Sequence, residues 1–137
     1  MTAKEFMTSY QRITEKIRQI DFQIYDIEQT LGVEGVKYNS QPHGSGVSHL
    51  TETTAIKLAA LKDNQMKLRD KLWNQRIKIE KVIYRVADAR NAEVLQRRYI
   101  RLQKWEDIAA EMHLGLRTVF DIHGRALDEV KEIYKSA

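Results

Sequence analysis

Apolar residues recur along the first part of the chain at strict intervals. Phe6, Tyr10, Ile13, Ile17, Ile20, Ile24, Ile27 and Leu31 are separated by alternating steps of four and three. This is the a/d seam of a heptad repeat, the pattern of a helix lying along another helix. Neither Gly nor Pro interrupts it, so the spacing predicts one helix of about 28 residues, about 42 Å long at 1.5 Å per residue. A second seam follows Thr51, a residue suited to an N-cap. It runs through Leu58, Leu61, Gln65, Leu68, Leu72, Gln75, Ile79, Val82 and Val86. Its polar members, Gln65 and Gln75, either set register or sit near solvent. Between the seams, residues 32–50 hold four of the six glycines and the only proline, and read as a mobile linker.

Side chains beside the seams predict how the helices pair. Met7, Thr14, Asp21 and Glu28 flank the first; Lys62, Arg69, Arg76 and Ile83 flank the second. In an antiparallel pair Glu28 and Asp21 meet Lys62, Arg69 or Arg76, and Met7 meets Ile83. Each exposed ion pair contributes only roughly 0.2–1 kcal/mol, yet flanking charges select orientation. Residues 1–87 are thus expected to form a long antiparallel, coiled-coil-like helical hairpin for oligomerisation or partner binding. One hairpin leaves part of two such seams uncovered, so a homodimer is expected.

After Val86 the heptad stops, and the DARN run at 88–91 marks a short break. Leu95, Tyr99 and Leu102 give a further helix one apolar face. The stretch WEDIAAEMHLGLRTVFDIHGRAL at 105–127 then reads as two short helices joined by a tight turn. Ile108 and Met112 share one face of the first; Val119, Ile122 and Ala126 form one stripe on the second. The small Ala109 falls where the axes approach, His113 where the chain leaves the first helix, and Leu114 in the turn. This is the spacing of a helix-turn-helix, whose second helix enters the DNA major groove with its early residues at base edges. Residues 88–137 are therefore expected to be a trihelical DNA-binding domain. Arg117, Thr118, Asp121 and Arg125 are the candidates for base or groove contact. Arg97, Arg98, Arg101 and Lys104 are the candidates for phosphate contact.

RYI at 98–100, WEDIAAEM at 105–112 and RTVFDIHGRAL at 117–127 resemble the C-terminal part of the RinA- and ArpU-like regulators. Those are phage late-gene transcriptional activators whose C-terminal helix-turn-helix is similar to region four of sigma factors. The motifs cover about the last third of the chain, and the long helical N-terminal part matches in architecture. The resemblance implies a phage or prophage regulator that binds promoter DNA and activates packaging, morphogenesis or lysis genes, with host RNA polymerase as a possible contact. Two departures are visible. Gly115 stands where such motifs offer a Ser or Thr N-cap, and Leu116 and Asp121 stand where they often carry basic residues.

Composition narrows the classes. The chain has 137 residues, 31% of them charged and 42% hydrophobic, which suits one or two small helical units. It has no cysteine, which excludes disulfides and thiolate chemistry and fits a cytoplasmic location. No apolar run approaches a membrane span, and MTAKEFMTSYQ lacks the apolar core of a signal peptide. No nucleotide, zinc-protease or nucleophile-elbow motif is present. His43 and His49 lack carboxylate or thiol company, so no metal, no cofactor and no enzymatic activity are expected.

The net charge of +4 is unevenly placed. Residues 51–87 carry nine basic against four acidic side chains, whereas 88–137 carry nine of each. Phosphate neutralisation supplies most non-specific DNA affinity, so Lys71, Lys78 and Arg85 are expected to add to it beside a neutral DNA-binding unit. Two other readings stand beside this one. A small-terminase-type packaging component also joins a helix-turn-helix to an oligomerising hairpin, in the reverse order. A helical adaptor would bind RNA polymerase without touching DNA.

Overall fold

The computed structural model describes residues 2–31 and 45–136, with the side chains of 31, 45–50 and 136 left aside. Among the described residues five α-helices follow in order: α1 (Ala3–Leu31), α2 (Ser45–Tyr84), α3 (Ala89–Leu95), α4 (Trp105–Met112) and α5 (Leu116–Ser136). No strand occurs among the described residues, and none of their helices is long and apolar enough to cross a membrane. Of the linker expected over 32–50, residues 32–44, including His43, lie outside the described residues. From Ser45 onward the chain is already helical, so α2 begins before the cap expected at Thr51. Each residue added to an existing helix gains a hydrogen bond, and Gly46 costs only about 1 kcal/mol relative to Ala. That is too little to stop the helix there.

The chain divides into two compact units, Thr14–Lys71 and Met1–Ile13 with Leu72–Ala137. In the first, Ile17 and Ile24 are buried, and Leu58, Leu61, Gln65 and Leu68 are half-buried between exposed neighbours. Both seams therefore face inward, as their periodicity requires. Lys62 pairs with Glu28 at 3.3 Å, and the Gln65 amide donates to the Asp21 carboxylate. The order of these contacts makes the two segments antiparallel. Asp21 meets Gln65 rather than one of the expected cations.

In the second unit α1 starts with a reciprocal capping box. The Thr2 N–H donates to Glu5 Oε2 (3.0 Å) and the Glu5 N–H to Thr2 Oγ1 (3.1 Å). Gln75 donates to Ser9 Oγ at 2.7 Å, so both seam glutamines have a partner on α1. Arg76 bonds Glu80 on its own helix and lies 6.0 Å from the Tyr10 ring. Met7 and Ile83 belong to one core with Phe6, Ile79 and Val86, joined by Leu95, Tyr99 and Ile100 and by Ala126 and Val130 of α5. The unit that contains residues 88–137 therefore also takes in the start of α1 and the end of α2.

The DARN break is a built joint. Asp88 caps α3, accepting from the N–H groups of Arg90 (2.9 Å) and Asn91 (3.0 Å). Buried Asn91 donates to Glu129 Oε1 at 2.6 Å, and the Ala87 N–H donates to Glu129 Oε2 at 3.1 Å. One carboxylate of α5 thus satisfies both sides of the joint. Downstream, α3 widens into a π turn over Gln96–Ile100, closed by the Arg101 N–H on the Gln96 carbonyl at 3.0 Å. Leu102, expected to continue the helical face of Leu95 and Tyr99, instead leaves the helix at φ 57°. The wider turn shifts the later residues around the axis, and Tyr99 and Ile100 are the ones that point inward.

A second core joins Val94 of α3 to Ile108 and Ala109 of α4 and to Val119 and Ile122 of α5. The turn between α4 and α5 is a Schellman motif. The Leu114 N–H bonds the Ala109 carbonyl (2.9 Å), the His113 N–H bonds that of Ala110 (3.2 Å), and Leu114 packs on the core. His113 sits in the left-handed region (φ 57°, ψ 44°), where a Cβ costs roughly 1–2 kcal/mol. Replacing it by Gly removes that strain at the expense of chain entropy. His113→Gly is expected to stabilise the protein by about 0.5–1 kcal/mol, and the β-branched His113→Val to destabilise it, both read by urea denaturation.

Candidate nucleic-acid interface

The burial pattern of α5 leaves one face to the core and one to solvent. Val119, Ile122 and Ala126 are fully buried or nearly so, while Arg117, Thr118, Asp121 and Arg125 are all exposed. At 100° per residue Arg117 and Asp121 lie opposite the buried stripe, with Thr118 and Arg125 on its flank. Space around Gly124 is open, since a Cβ there would meet nothing within 4 Å. A Cβ at Gly115 would meet only Thr118 Oγ1, at 4.0 Å, so no crowding demands Gly at the head of α5. The early part of α5 also exposes two large apolar side chains, Leu116 and Phe120. The helical period places Phe120 at the flank of this surface but gives no pointer to Leu116.

The four cations expected to hold phosphate fall into two pairs. Arg97 is largely enclosed, its side chain 15% exposed, and bonds Glu93 at 3.0 Å and Glu111 at 2.6 Å. Glu111 also accepts from Gln103 at 3.1 Å. The hydrogen bond from Arg97, followed by that from Gln103, holds the Glu111 carboxyl below its usual range. Glu111, and then Glu93, raise the Arg97 pKa still further. Arg98 lies 4.3 Å from the Trp105 ring centroid and donates to the Gln103 carbonyl at 2.9 Å. Both guanidinium groups therefore fasten the π turn to α4. Arg101 and Lys104 are exposed, and neither enters an ion pair among the described residues. The neutral tally of this region conceals that distinction, because Arg97 spends its charge on internal carboxylates.

Beneath the solvent face lies an aromatic cluster that links three elements. The Trp105 ring meets Phe120 (5.3 Å) and His123 (4.7 Å) edge to face, and His123 stacks on Tyr99 at 5.7 Å. Tyr99 Oη and His123 Nε2 share a hydrogen bond of 2.6 Å, the tautomer deciding which donates. Phe120 and His123, three residues apart on α5, share a face in the sequence. Their contact with Trp105 comes from another helix and left no local signal. The cluster ties the head of α4 to the early turns of α5, and so sets where Lys104 and Arg117 stand. Tyr99 is pushed up to about 12 by burial. His123 is pushed down to about 4, first by burial and then by the charges of Lys4 and Arg98.

His123 is thus neutral in the folded protein at pH 7, a packing group and not a charged one. Between about pH 6.5 and 4 the unfolded chain binds a proton that the folded one refuses. Its contribution to stability is complete above about pH 6.5 and is lost as the pH falls towards 4. Urea denaturation at pH 7 and pH 5 should show a larger acid loss in the wild type than in His123→Gln, which keeps a polar group beside Tyr99. Equal losses in the two proteins would remove His123 from the acid response.

Compared with known proteins, the chain finds no match: no family model, no curated protein and no solved structure aligns with it significantly.

Proposed function

We propose that this chain is a DNA-binding transcriptional regulator of phage or prophage origin that activates late genes. In this reading α4, the Schellman turn and α5 form a helix-turn-helix, α3 completes a trihelical unit, and the early turns of α5 enter the major groove. The observation that carries it is the two-sided character of α5. Arg117 and Asp121 are exposed on the side opposite fully buried Val119 and Ile122, and exposed Thr118 and Arg125 flank that face. Such a helix is backed by the core and offers side-chain donors and acceptors of the kind that read base edges. The phage and late-gene part rests on the resemblance of RYI, WEDIAAEM and RTVFDIHGRAL to the RinA- and ArpU-like regulators.

The proposed phosphate contacts narrow to Arg101 and Lys104, since Arg97 and Arg98 are engaged internally. On a site obtained by selection from random duplexes, Arg117→Ala should cost roughly 1–3 kcal/mol and relax the preference at one position. Arg101→Ala combined with Lys104→Ala should reduce the slope of log affinity on log salt by about 1.8, at about 0.9 per phosphate contact. Arg97→Gln should lower stability and leave that slope as it is. Unchanged binding in every one of these variants would favour the adaptor that contacts RNA polymerase without DNA.

The antiparallel segments of α1 and α2 form, in the same reading, an oligomerising hairpin. Leu58, Leu61 and Leu68 are only half-buried in their unit, and Phe22, Tyr25, Ile56 and Met66 are exposed there. A second copy would cover apolar surface of this kind. Light scattering of the full chain is expected to report a dimer at micromolar concentration; a monomer would remove the homodimer from the proposal, and a ring would revive the packaging-component reading.

A further inference from the structure

Near the end of α2 three cations stand together without carboxylate partners. Lys78, Lys81 and Arg85 are exposed and enter no ion pair among the described residues, Glu80 being taken by Arg76. They border a groove of about 420 Å³ whose other walls are Phe6, Val82, Ile133 and Tyr134. Phe6 and Tyr134 meet edge to face at 5.1 Å, so the apolar side of the groove is built from two helices and is firm. Lys81 and Arg85 also border a second depression, lined by Ile77, by Glu80 and by Tyr84, which is 91% exposed. Two cations thus stand between the apolar groove and a second, mixed depression.

We infer that this groove is a docking site for an acidic amphipathic segment of a partner protein, a short peptide with carboxylates on one side and an aliphatic or aromatic anchor on the other. The carboxylates meet Lys78, Lys81 and Arg85 in charge-assisted hydrogen bonds, and the anchor fills the hollow against Phe6 and Tyr134. Duplex DNA fits the same observations less well. A phosphodiester backbone satisfies the cations but has no apolar group to bury in the hollow. Position also argues against it: Ile133 lies sixteen residues beyond Arg117 on α5, about 24 Å along the axis. The groove is therefore remote from the face proposed to read bases, and it goes beyond that reading.

The test uses the full chain and a fluorescein-labelled synthetic helical peptide with Glu on one face and Leu and Phe on the other. Two control peptides carry Gln for Glu and Ala for the apolar residues, and an unlabelled random duplex serves as competitor. The expected result is salt-sensitive binding of the acidic peptide, weakened about tenfold or more in each control. Lys81→Glu combined with Arg85→Glu should weaken it by at least about tenfold, and the neutral pair Lys81→Gln with Arg85→Gln by an intermediate factor. A thermal melt of each variant excludes unfolding. Equal binding of the acidic and Gln peptides would overturn the proposal, as would full binding by the doubly reversed variant. Displacement of the peptide by the duplex, together with loss of duplex binding in the doubly reversed variant, would give the groove to DNA instead.

Discussion

One face of α5 holds the larger compact unit together. Val119 and Ile122 close the small core against Val94, Ile108 and Ala109. Ala126 and Val130, further along the same stripe, close the larger core against Phe6, Met7, Ile79 and Ile83. The helix thereby belongs to two cores at once. Apolar burial is the dominant favourable term in folding and is roughly proportional to the area removed from water. A stripe shared by two cores makes the placement of the solvent face of α5 a consequence of the whole unit. Glu129 adds the polar counterpart, since its two oxygens satisfy Ala87 and Asn91 at the joint between α2 and α3.

The charges of the same unit are unequally engaged. The region after Asp88 has equal numbers of basic and acidic residues, but they are not equally available. Arg97 and Glu111 neutralise each other within the fold, and Arg98 stacks on Trp105. These contacts hold the π turn and α4 in place while Arg101, Lys104, Arg117 and Arg125 stay in solvent. An internally held cation and a solvent-facing one differ here in whether a carboxylate, a carbonyl or an aromatic ring lies within reach. The same test sets Arg76, held by Glu80 and near Tyr10, apart from Lys78, Lys81 and Arg85.

The sequence by itself determined the long helices, their inward faces and their antiparallel sense, because these follow from periodicity and flanking charge. Ile17, Ile24, Leu61 and Leu68 face inward where the heptad places them, and Glu28 meets Lys62. The buried stripe of Val119, Ile122 and Ala126, and the helix end at His113, were equally legible, since a 3.6-residue period and a turn act over a few residues. Only the tertiary structure decided the rest. The π turn that ejects Leu102 has no local signature. Glu111, which holds Arg97, and Phe120, which meets Trp105, lie fourteen and fifteen residues away on other elements. Which arginines remain available is likewise a matter of distance between helices, and pair distances across a fold are set by packing, which no repeat along the chain encodes.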